Sequence, residues 1–124
     1  MRLWFRLGCI NALAAIALGA FGAHGLKDRL DEDMLDVFHT GVQYHMMHAL
    51  GLIVVTFVAG KLGAAKQVVW AGRLMMVGIV LFSGSLYVLA ITGVEALGAI
   101  TPLGGVAFLS AWALLAAAGT KLAK

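Results

Sequence analysis

The sequence predicts an all-α fold, an integral membrane four-helix bundle with both termini cytoplasmic and a short amphipathic outer segment between helices 1 and 2. Three observations lead there. Of 124 residues, 62% are hydrophobic and 12% charged, and the mean hydropathy is +0.97. Soluble domains run about 45–50% apolar and about 25% charged, so too few charges remain to clothe a surface facing water. The apolar residues gather into four runs near the ~20 residues a helix needs to cross hydrocarbon. Finally, Arg2, Arg6, Lys61, Lys66, Arg73, Lys121 and Lys124 fall at the termini and the middle connection, against Lys27 and Arg29 on the other side. By the positive-inside rule the richer side is cytoplasmic.

Length allows one domain, residues 1–124. Span 1 covers about residues 7–25. Its Met1–Arg6 start imitates a signal peptide, but the run is long enough to span and three more follow, so it is expected to stay. Gly8, Ala12, Ala15, Gly19 and Gly22 recur every three or four residues, a stripe that lets a neighbouring backbone approach closely. Between Leu26 and Asp36, Leu26, Leu30 and Met34 share a face while acids fill the others. That pattern fits a short interfacial helix or a solvated connecting loop. Span 2 covers about residues 37–59 and is stopped by Gly60 and Gly63. Span 3, about residues 74–93, carries Ser83-Gly84-Ser85 at mid-membrane. Thr101 reads as an N-cap with Pro102 at the first helical position, opening span 4 at about residues 102–119.

Span 2 holds the unusual chemistry, with three of the four histidines between Val37 and Gly51. Polar side chains this deep in hydrocarbon must be paired, hydrated or functional. On a helix Gly41, His45, His48 and Leu52 share one face, with Tyr44 at its edge. His45 and His48, three apart, can present both imidazoles to one point, a spacing compatible with a metal, haem or a proton relay. No intramembrane carboxylate is available to complete a metal shell. The expected arrangement is therefore an interhelical network of Gln43, Tyr44, His45, His48, Ser83 and Ser85, with His24 at the outer mouth. No metal or cofactor is expected.

Other classes fall away. The +3 net charge suggests nucleic acid, but the cations lie at span ends without a patch of interleaved aromatics. The single cysteine, Cys9, excludes an internal disulfide. Trp4 and Trp70 belong in an interfacial aromatic belt; Trp112 faces lipid or a neighbouring span. No catalytic triad, carboxylate pair or phosphate-cradling loop can be assembled, so an enzyme is not expected.

Four blocks carry a family resemblance. They are Gly19-Ala20-Phe21-Gly22-Ala23-His24-Gly25-Leu26, Thr40-Gly41-Val42-Gln43-Tyr44-His45-Met46-Met47-His48-Ala49-Leu50, Leu81-Phe82-Ser83-Gly84-Ser85-Leu86-Tyr87 and Thr101-Pro102-Leu103-Gly104-Gly105-Val106. Together they resemble the small bacterial inner-membrane family catalogued as domain of unknown function 423, to which the eukaryotic transmembrane protein 256 is similar. The resemblance implies a four-helix inner-membrane protein without an established activity, and places His24, Tyr44, His48, Ser83, Ser85 and Pro102 inside its motifs.

The expected function is a structural, accessory or lipid-binding role for a non-enzymatic bundle with a polar interior. The alternatives are a small transporter or channel for protons or a small solute, and a metal- or haem-binding protein. The expected partners are the lipid bilayer and either further copies of the chain or a larger membrane complex.

Overall fold

Hydrocarbon leaves a backbone no hydrogen-bond partner outside itself, so a chain this apolar satisfies its peptide groups within helices. The computed structural model describes residues 2–63 and 65–122, and among them helices and their connecting turns account for the fold. Helix α1 is Arg2–His24 and α2 is Glu32–Leu62. A third span begins as α3, Lys66–Gly78, widens into a π-helical segment, Ile79–Gly84, and ends as α4, Ser85–Thr92. The fourth enters through a 3₁₀ turn, Glu95–Ala99, and continues as α5, Thr101–Ala118. Among the described residues four helices are thus long and apolar enough to cross a membrane. The last cation counted for orientation, Lys124, lies outside the described residues.

Local chemistry sets the boundaries. The connector after α1 is a series of turns over Gly25–Leu30 rather than an interfacial helix. Leu26 folds inward against Phe38 and Ala90, which anchors the turns more firmly than a short helix could hold itself. Asp31 caps α2, its carboxylate accepting from the Met34 N–H at 2.8 Å, and the acids Glu32 and Asp33 sit where the helix dipole favours them. Gly63 closes α2 and Gly93 closes α4 at φ 70° and 72°, left-handed values that glycine adopts without a Cβ penalty.

Thr101 does not cap α5. The backbone at Ile100 is already helical as it leaves the 3₁₀ turn, whereas a cap needs an extended residue. The Thr101 hydroxyl instead meets Ser85 Oγ at 2.6 Å.

Helix α2 is the hub: α1 packs along one side of it, and α3, the π segment and α4 along the other, while α5 pairs with α3. The small-residue stripe of α1 lies against a neighbouring helix as expected, and that neighbour is α2, with Gly8, Ala15 and Gly22 buried. Two apolar clusters form. One lies towards the basic end, around Leu52, Val55, Met75, Ala111 and Leu115; the other lies towards the acidic end, around Leu26, Phe38 and Ala90. His45 and His48 occupy the α2 turns between them.

Helix α5 approaches closest at Gly104, where a Cβ would run into the backbone of Leu81 and Phe82; at the neighbouring Gly105 it would meet nothing nearer than 3.9 Å. Gly104→Ala should therefore destabilise the bundle by about 1–3 kcal/mol through overpacking. Gly105→Ala should stay within about 0.5 kcal/mol. Thermal unfolding of the two variants in detergent, followed by circular dichroism, compares them directly.

Candidate functional site

Both deep histidines are buried, with His45 5% and His48 2% exposed. They do not converge on one point. His45 turns towards α1 and α4: its Nε2 lies 2.9 Å from Asn11 Oδ1 and its Nδ1 2.8 Å from the Tyr87 hydroxyl. His48 turns towards α5, where Trp112 Nε1–H donates to its Nε2 at 3.0 Å, while its Nδ1 lies 2.7 Å from the Tyr44 carbonyl of its own helix. The partners thus belong to different helices, α1 and α4 for His45 and α5 for His48, and the two rings turn apart. Among the described residues no three His, Cys, Asp or Glu side chains gather at one point.

The partners also settle where the protons sit. A carbonyl only accepts, so His48 Nδ1 carries the hydrogen, and its Nε2 is the lone pair receiving the indole N–H. Asn11 spends its amide N–H on the Leu7 carbonyl at 2.8 Å, which leaves Oδ1 to accept from His45 Nε2–H. His45 Nδ1 then accepts from the Tyr87 O–H. As neutral rings the two imidazoles are opposite tautomers, each with both nitrogens satisfied.

Aromatic rings wall in His48. Its ring stacks on Phe108 with centroids 3.4 Å apart and planes 8° from parallel, and the Tyr44 ring lies nearly parallel, 6.3 Å away. Beside them a cleft of about 280 Å³ is bordered by Tyr44, Met47, Phe82, Leu109 and Trp112 with His48 at its floor.

The remaining expected site residues separate. Tyr44 is 37% exposed, and serves the network through its carbonyl and ring instead of from the interior. Gln43 and His24 are exposed, so the polar interior reaches neither. Gln43 precedes Tyr44 on the outward side of α2, and His24 ends α1 beyond the packed stripe. Ser85 is buried but bonds Thr101 and the Phe82 carbonyl rather than a histidine. Ser83 is fully buried and its hydroxyl has no hydrogen-bond partner among the described residues.

Sequence reasoning passed over Asn11, and it did not assign Tyr87 and Trp112 their roles. Asn11 did leave a signal: it is the one asparagine of the chain and lies inside the small-residue stripe of span 1, where an unpaired amide would be costly. Trp112 left none, because an indole facing lipid and one donating across a bundle look alike in a sequence.

The fold and site together define a multi-pass membrane protein of four helices, cross-linked through its middle by hydrogen-bonded histidines. The chain belongs to the family described as "Protein of unknown function (DUF423)", which matches residues 18–105. It is similar to the UPF0382 membrane protein YwdK of Bacillus subtilis (strain 168), 58% identical over 98% of each chain. It also resembles a UPF0382 membrane protein of Staphylococcus epidermidis, 46% identical over 99% of each chain, and SH2409 of Staphylococcus haemolyticus, 44% identical over 93% of each. No solved structure matches the chain.

The tautomers give a direct check. Nitrogen-15 spectra of histidine-labelled protein should show His48 protonated at Nδ1 and His45 at Nε2. Trp112→Phe should shift the His48 Nε2 resonance and leave His45 unchanged; the reverse pattern would contradict the network.

Proposed function

We propose that the chain is a non-enzymatic structural or accessory protein of the cell inner membrane, with both termini cytoplasmic. In this reading the buried histidines are interhelical fasteners, and the cleft beside His48 offers an apolar surface to a lipid chain or a partner helix. The observation that carries the reading is that each of the four ring nitrogens already has a partner of matching polarity. A ligand-binding or metal-binding imidazole needs a free lone pair, and neither ring has one to offer without breaking a helix contact.

The same geometry weighs against a proton pathway. A relay along Tyr87, His45 and Asn11 ends at Asn11, whose amide neither gains nor loses a proton at ordinary pH. The partners of the two buried histidines include no nucleophile or carboxylate of a catalytic constellation.

Proteoliposomes carrying an internal pH dye test the proposal. Vesicles with wild-type protein should hold a pH gradient as well as vesicles with His45→Leu or His48→Leu, and purified wild-type protein should carry no stoichiometric metal. A proton leak that either substitution removes, or iron, copper or zinc lost with His48→Leu, would overturn the reading. The substitutions should lower stability by about 0.6–2 kcal/mol per interhelical bond removed, read from thermal unfolding in detergent.

A further inference from the structure

One outward face of the third span changes polarity with depth in the manner of a phospholipid. Lys66, Trp70, Arg73, Val77 and Val80 recur at spacings of four, three, four and three, which aligns them along a single helical face. All five are exposed, Trp70 to 51% and Val80 to 62%. At the helix start the face is cationic and aromatic, with the Arg73 guanidinium 5.1 Å from the centroid of the Trp70 ring. Immediately deeper, Met76, Val77, Val80 and Leu81 line an apolar cleft of about 320 Å³.

The dimensions agree with one leaflet. From Arg73 to Leu81 is eight residues, about 12 Å at 1.5 Å per residue, within half of a hydrocarbon core about 30 Å thick. The charges agree as well. All six acids of the chain, Asp28, Asp31, Glu32, Asp33, Asp36 and Glu95, lie in the connectors and helix start at the opposite end of the bundle. No Asp or Glu side chain is therefore at hand to neutralise Lys66 or Arg73. A planar guanidinium presents paired donors suited to phosphate oxygens, a lysine adds a flexible point charge, and an indole favours the glycerol level of the bilayer.

We infer that this face of the third span is a binding site for an anionic phospholipid, with its headgroup phosphate held by Arg73 and Lys66 and an acyl chain laid along Val77 and Val80. The inference goes beyond the structural role proposed above and does not depend on it, since the histidines lie on other faces and take no part.

Native mass spectrometry of the full chain, released from micelles holding equal phosphatidylglycerol and phosphatidylcholine, tests it. Wild type should retain phosphatidylglycerol in preference. Arg73→Gln should reduce that preference about fivefold, equivalent to about 1 kcal/mol for one surface cation. Val80→Trp should lower phosphatidylglycerol retention by filling the cleft, while Lys121→Gln, a cation at the same end on another helix, should leave the preference intact. Equal retention of both lipids by wild type would overturn the inference. So would a Lys121→Gln loss as large as that of Arg73→Gln, or displacement of the lipid by millimolar inorganic phosphate, which would make the site one for a free anion.

Discussion

An imidazole in hydrocarbon has no water to turn to, so its hydrogen bonds must come from the neighbouring helices. That constraint organises this bundle. His45 can be satisfied only if α1 brings Asn11 to one nitrogen and α4 brings Tyr87 to the other. His48 needs its own helix at Nδ1 and Trp112 of α5 at Nε2. The two residues, three positions apart on the hub helix, therefore tie α2 to elements from each of the other spans. Individually such bonds are modest in membranes, and their effect lies in specifying which helix stands where.

Short helix separations make the bonds reachable. A Cβ at Gly8 would press on the Ala49 carbonyl at 2.9 Å, so the stripe of α1 lies close enough to α2 for Asn11 to meet His45. On the far side Gly104 rests on the backbone of the π segment. A π turn closes i→i+5 and adds roughly one residue to the helix turn, so the side chains following it are displaced from strict α-helical phase. Ser85 then reaches Thr101 rather than a histidine, and Ser83 is left in the core without a hydrogen-bond partner among the described residues.

Much of this was legible beforehand. Four apolar runs, the polar histidine segment and the small-residue face of α1 are patterns of composition and period, and a helix expresses these locally. The burial of His45 and His48 followed from helical phase, and that of Ser85 from its place midway along the third span. The pairing did not. Gln43 is next to Tyr44 in the chain and was expected inside with it, yet it faces outward; Asn11 resembles any single polar residue until a histidine is set opposite it. Thr101 followed by Pro102 has the composition of a cap, and only the 3₁₀ turn ahead of it shows that the hydroxyl is free for Ser85.

By itself the sequence determined the solvent of this protein, the number of its spans and the helix that carries polar groups into the membrane, because hydropathy and period are properties of consecutive residues. The tertiary structure decided which groups those histidines meet, that their rings turn to different neighbouring helices, and which tautomer of each neutral ring those partners favour. Those outcomes depend on contacts between residues 34, 42 and 64 positions apart, and nothing short of packing the helices together fixes such distances.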